Sequence, residues 1–305
     1  MSVTVEVATL LMVASGAQLS LQAPVNAGLA RATGGLPAAM ISFAVGTGVL
    51  AIAALAAGEL DRVSAVGDVP LHDLVGGAIG ATYVVVTLLA VPSIGAGGVA
   101  AGIITGQLIS SVALDALGAF GLDREPATAT RVLAAALLAL GTYAIVSGRP
   151  GPSRSFDGPR LGRRPAIIAV VVVGGLTAAQ APINADLAER TGDLGAALVN
   201  FLVGLAILAA IVVATRSAGG LAAARRVPRG YLAGGIFGAV NILAGTALVR
   251  TIGAGGVTAA LVTGQLLASV ALDRVGALGL QRRALDRVRV AGIALLGVGT
   301  YLIVA

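Results

Sequence analysis

One relation constrains this chain more than any other: it contains itself twice, at a fixed spacing and without a gap. The stretch LQAPVNAGLA at Leu21–Ala30 returns as AQAPINADLA at Ala179–Ala188, so that Gln22 recurs as Gln180, 158 positions on. The same step carries Asn26 to Asn184, Phe43 to Phe201, Gly76 to Gly234, Gln107 to Gln265, Asp115 to Asp273 and Tyr143 to Tyr301. A period of this kind marks a structural unit used twice. The two copies, 1–147 and 166–305, flank GRPGPSRSFDGPRLGRRP at 148–165, whose Pro, Gly, Ser and Arg content makes it a linker.

Composition says what each copy is built from. Of the 305 residues 57% are hydrophobic and 11% charged, against about 25% charged in a soluble domain. A helix of roughly 20 apolar residues crosses a bilayer. Ten such windows are read, at 4–30, 36–57, 71–91, 94–117, 129–147, 165–188, 195–215, 230–250, 252–275 and 287–305. The expected fold is an all-α integral membrane protein with ten transmembrane helices. Five windows per copy is an odd number, so the second copy enters the bilayer from the other side, which makes an inverted-topology repeat.

All 20 basic residues are arginine. Most lie in the linker (Arg149, Arg154, Arg160, Arg163, Arg164), after the seventh window (Arg216, Arg225, Arg226, Arg229) and after the ninth (Arg274, Arg282, Arg283, Arg287, Arg289), with Arg31 on the same side. Positive loops stay inside the cell, so the linker is expected in the cytoplasm and both termini outside. The opening MSVTVEVATLLMVASG carries Glu6 and no basic n-region, and reads as a retained first span instead of a cleaved signal.

Several function classes fall away. Aromatics are 3% of the chain, too few for base-stacking platforms, so nucleic acid is not an expected partner. There is no cysteine, and the single histidine, His72, sits in a short polar connection and reads as a solvated loop residue. With no phosphate loop and no metal-ligand cluster in the sequence, no metal, no cofactor, no ATP-driven pumping and no enzymatic activity are expected.

The informative residues are polar ones inside apolar windows. Gln22 and Asn26, four apart, share a helix face. Pro24 between them has no N–H and leaves the Ser20 carbonyl without its usual partner. Gln180, Pro182 and Asn184 repeat the arrangement and free the carbonyl of Ala178. Broken backbone at membrane depth needs protein or a wet cavity around it. Either the amides tie helices together, at about 0.6 kcal/mol per bond, or they line a solute path, as kinked helices at a repeat interface do in transporters. The fourth and ninth windows share TGQL and place Gln107, Ser111 and Asp115, and equally Gln265, Ser269 and Asp273, on one helical face. Each aspartate lies about 12 Å along from its glutamine, towards a membrane surface. Helix-end solvation is the plain reading of Asp115 and Asp273, and a gate or ion-coupling role the sharper one. GGAIG at Gly76–Gly80 and GGIFG at Gly234–Gly238 read as close-packing helix faces.

The segments SLQAPVNAGLA, ISFAVGTGVL, GGAIGATYVV and PSIGAGGVAAGIITGQLISSVALD, with their second copies, resemble the YdcZ family of the drug/metabolite transporter (EamA-like) superfamily. The resemblance runs along essentially the whole chain, twice, and implies a bacterial inner-membrane exporter with two five-helix units fused. Related small multidrug resistance proteins carry a glutamate in the first helix, where this chain has Gln22 and Gln180; Glu6 is matched by Arg164. A neutral or zwitterionic solute therefore suits the amide-lined path better than a cation exchanged for protons.

These readings converge on a secondary transporter working by alternating access. Gln22, Asn26, Gln107, Gln180, Asn184 and Gln265 are the expected solute contacts, and Pro24 and Pro182 the expected kinks. Its expected partners are the lipid bilayer and a small solute, and a monomer suffices because both inverted halves are in one chain. A channel-like facilitator is the alternative, and a membrane enzyme or scaffold a third class.

Overall fold

Backbone N–H and C=O groups find no water in hydrocarbon, so apolar segments satisfy them internally as helix. The computed structural model describes residues 3–59, 70–146, 161–276 and 286–304, and among them there is helix and turn but no strand. Most of the linker (148–160), Arg282 and Arg283 fall outside the described residues.

The helices are α1 Val5–Leu19, α2 Gln22–Thr33, α3 Gly35–Ala56, α4 Val75–Leu117, α5 Ala129–Val146, α6 Arg163–Ala214, α7 Gly234–Val275 and α8 Arg287–Val304. Short 3₁₀ turns at Leu71–Leu74, Ser217–Arg226 and Arg229–Ala233 join some of them. By length and composition seven stretches qualify to cross a membrane, alongside a shorter apolar helix at Ala129–Ile145. Two of the seven, Arg163–Ala214 with 52 residues and Arg229–Leu272 with 44, are about twice the length one crossing needs.

Glycine divides these long elements at two positions, each used once per copy. Gly34 (φ 87°, ψ 160°) separates α2 from α3, and its counterpart Gly192 (φ 76°, ψ 163°) interrupts α6. Gly95 (φ 71°, ψ 162°) interrupts α4, and its counterpart Gly253 (φ 70°, ψ 171°) interrupts α7. Side chains clash with the backbone in this region, which is essentially reserved for glycine.

The proline motifs behave differently in the two copies. In the first, Ser20 and Leu21 are turn residues, so Pro24 sits in the first turn of α2, where a missing N–H breaks no helical bond. In the second, α6 runs through Pro182, and its only non-helical dihedrals are those of Gly192.

The chain forms two compact units, each drawing on both copies. The first comprises Met1–Ala17, Thr82–Ala179 and Leu248–Ala305; the second comprises Gln18–Ala81 and Gln180–Ala247. In the first unit backbones meet at glycine. A Cβ on Gly16 would lie 2.1 Å from the Leu261 carbonyl oxygen, and one on Gly264 only 1.9 Å from that of Val13. Their counterparts repeat the crossing, Gly174 against Ile103 at 2.2 Å and Gly106 against Val171 at 2.0 Å. Helices α5 and α8 pack around Leu138, Ile145, Leu296 and Ile303.

In the second unit the GG runs make the crossings. A Cβ on Gly77 would lie 2.4 Å from the Asn200 carbonyl oxygen, and one on Gly235 2.0 Å from that of Ser42. Phe43 and Phe201 stack with ring centroids 5.0 Å apart. Each ring occupies the space that a side chain on the other copy's glycine would need, Phe43 at Gly204 and Phe201 at Gly46.

Replacing Gly235 by alanine drives a methyl into backbone and should cost about 1–3 kcal/mol. Gly48, with nothing within 4 Å of its Cβ position, gains helix propensity when changed to alanine. Thermal unfolding of the purified protein in detergent should show a lower melting temperature for Gly235→Ala, and an unchanged or higher one for Gly48→Ala.

Candidate solute site

The second unit holds both QAPxN motifs and both glycine runs. Gln180 and Asn184, one turn apart on α6, are 7% and 1% exposed. The Gln180 Nε2 donates to the carbonyl oxygen of Gly76 at 2.7 Å and to Asn200 Oδ1 at 3.2 Å. Asn184 lies against the same glycine, with its Oδ1 2.2 Å from where a Gly76 Cβ would be. Neither Oδ1 nor Nδ2 of Asn184 has a hydrogen-bond partner. A carboxamide carries two N–H donors and an acceptor oxygen, and leaving such groups buried and unbonded costs about 1–3 kcal/mol.

The first copy occupies the equivalent places with different bonds. Asn26 Oδ1 accepts the Ser42 hydroxyl at 2.7 Å and lies 1.9 Å from the Cβ position of Gly234. Gln22 Nε2 lies 2.9 Å from the Cβ position of Gly238, and among the described residues its side chain makes no hydrogen bond. Just upstream, Gln18 Nε2 donates to the Phe237 carbonyl oxygen at 2.9 Å. The motif of each copy is thus seated on the glycine run of the other. The Phe43 ring reaches 3.5 Å from the Cβ position of Gly80, and the Phe201 ring 3.4 Å from that of Gly238. None of these contacts involves an ionised side chain.

Gln107 and Gln265 belong to the first unit and are half-buried, each next to a crossing glycine, Gly106 or Gly264. In that unit Asp115 is 1% exposed. Its Oδ1 accepts the Ala254 N–H and its Oδ2 the Gly255 N–H, both at 2.7 Å, while Arg131 Nη1 stands 3.5 Å from Oδ2. Arg131 also pairs with Glu125 at 2.8 Å. The break at Gly253 leaves the first N–H groups of the following helical segment without intrahelical acceptors, and a carboxylate there satisfies two of them at the positive end of the helix dipole. Asp115 of the first copy therefore caps a helix of the second. Asp273 falls near the end of α7, and its side chain is outside the described residues. His72 has a 78% exposed side chain 3.2 Å from Asp73, as a solvated connection requires.

Sequence reasoning passed over Ser42, Asn200 and Arg131. The signal for the first two was present: counterparts under the repeat step, both are polar within apolar windows.

A family model described as "Putative inner membrane exporter, YdcZ" matches the chain twice, over residues 7–144 and 165–302. The chain belongs to the YdcZ family. It is a multi-pass inner-membrane protein of a transporter family, not of an enzyme family, in the two-repeat form. A solved structure described as "Crystal structure of protein" is similar to this YdcZ chain with a TM-score of 0.68 and 17% identity, covering 97% of this chain and 96% of that one. At that identity the likeness concerns the fold alone. No curated protein matches the sequence.

Truncating Asp115 leaves the buried N–H groups of Ala254 and Gly255 without their acceptor, at about 1–3 kcal/mol each. Asp115→Ala should therefore unfold well below the parent protein in lipid nanodiscs. Asp115→Asn, which keeps one acceptor oxygen for the helix end, should lie between the two.

Proposed function

We propose that this YdcZ-family chain is a secondary transporter that exports a small neutral or zwitterionic solute by alternating access between two inverted five-helix halves. Joining α1 to α2 and dividing α4, α6 and α7 at Gly95, Gly192 and Gly253 leaves five helical stretches per copy, which supports a ten-span inverted arrangement. The arginine-rich linker is then cytoplasmic and both termini are outside.

The observation that carries the reading is Asn184. A buried carboxamide with all its bonding capacity unused is unfavourable in a helix-packing residue and useful in a residue that meets solute. Gln180, Gln22 and Asn26 stand on the same motif faces. We assign all four to the solute path. With no ionised group among their contacts, a net charge on the solute would go unpaired at high cost. Asp115, whose oxygens are taken up by two N–H groups and Arg131, we assign to holding helices together. Gln107 and Gln265 lie in the other unit, so the proposal rests on the motif amides.

Counterflow in proteoliposomes tests the reading with a panel of amino acids, nucleosides, sugars and cationic drugs. A transported solute should show saturable uptake that is accelerated by the same solute on the far side. Asn184→Ala should raise its half-saturation concentration about tenfold, the equivalent of about 1.4 kcal/mol. Flux that neither saturates nor responds to solute on the far side would make the protein a channel. Unaltered kinetics in Asn184→Ala would return the amide to a packing role.

A further inference from the structure

The two copies place the same polar residues against the same glycines, yet bond them differently. In the second copy the glutamine is engaged: Gln180 holds the Gly76 carbonyl oxygen and Asn200, and Asn184 is unbonded. In the first copy the asparagine is engaged: Asn26 holds Ser42, and Gln22 is unbonded among the described residues. Position for position, Gln22 corresponds to Gln180, Asn26 to Asn184, Ser42 to Asn200 and Gly234 to Gly76. The seats are equivalent too. Gln22 Nε2 lies 2.9 Å from the Cβ position of Gly238, and Gln180 Nε2 lies 3.3 Å from that of the equivalent Gly80. All of these residues are in one compact unit.

We propose that residues 22, 26 and 42 and residues 180, 184 and 200 are two settings of one hydrogen-bond switch, and that the copies exchange settings as the transporter turns over. In the exchanged state Gln22 donates to the Gly234 carbonyl oxygen. The Ser42 hydroxyl passes from Asn26 to Gln22 Oε1, Gln180 lets go of Gly76 and Asn200, and Asn184 Nδ2 becomes the donor to Asn200 Oδ1. No bond is broken without another being formed, so the two states stay close in free energy, as a carrier that must populate both requires. An inverted repeat makes such an exchange natural, because a copy in one setting shows where the other copy can go.

The residue at position 42 or 200 biases the choice. Serine in the first copy bonds the asparagine, and the longer asparagine in the second reaches the glutamine. A bond of this type shifts a two-state ratio by about threefold.

The switch rests on the alternating-access reading and is tested apart from it. The chain contains no cysteine, so single thiols report without background. Ala27 and Ala185, each following the motif asparagine, are counterparts; Ala27 is half-buried and Ala185 4% exposed. In proteoliposomes Ala27→Cys should react with a water-soluble maleimide several-fold faster than Ala185→Cys. Exchanging the biasing residues, Ser42→Asn with Asn200→Ser, should reverse that order. If the exchanged protein fails to fold, Gln180→Met takes its place and should raise labelling at Ala185→Cys, while Gln22→Met, which removes a bond made only in the exchanged state, should lower it. An order that survives the exchange, or equal effects of Gln180→Met and Gln22→Met, overturns the switch. Counterflow that persists beside an unchanged labelling order rejects the switch and leaves the carrier; channel-like flux rejects the carrier itself.

Discussion

A polar group held among helices with only hydrocarbon outside must find its partner inside the protein, and in this chain it finds much of it in the other copy. Gln180 takes the backbone oxygen of Gly76, and Asn26 seats on Gly234. The Asp115 carboxylate closes the helix that begins after Gly253. Lipid tails are as apolar as leucine, so burial alone gives helices little reason to associate. Glycines admit backbone to backbone at the crossings, and amides and one carboxylate supply bonds there. Neither copy meets its own requirements alone, which is why both compact units interleave them.

The same economy of bonds bears on function. Interhelical hydrogen bonds in membranes are individually weak, so rewiring a few of them alters the balance between states without threatening the fold. The Asp115 cap is of another kind: charged, buried and shared with Arg131. The fold therefore combines a charged helix cap in one unit with a cluster of neutral amide hydrogen bonds in the other.

Much of this was legible in the sequence. The repeat step, the apolar windows and the QAPxN and TGQL blocks led to a helical membrane protein of the YdcZ family, because hydropathy and internal identity act over long stretches and survive local detail. The pairing across copies was not legible. A repeat says which residues are equivalent, but not that Gln180 would meet Gly76 of the first copy instead of Gly234 of its own. Proline was weighed as a breaker in both motifs, yet the first copy interrupts its helix ahead of Pro24 and the second continues through Pro182. The breaks shared by both copies lie at Gly34, Gly95, Gly192 and Gly253, where the backbone dihedrals and not side-chain chemistry decide. Asp115 was expected to be solvated at the end of its own helix; it is instead buried and accepts the first N–H groups of another helical segment.

Separating the copies tests the interlock most directly. Residues 1–147 and 148–305 would be expressed as two chains, singly and together, and followed by size-exclusion chromatography and thermal unfolding in detergent. The account predicts that the two halves co-purify as one complex with a single cooperative unfolding step, and that neither half alone yields a monomer with such a transition. Two halves that each purify alone as folded monomers, and do not associate when mixed or co-expressed, would contradict it.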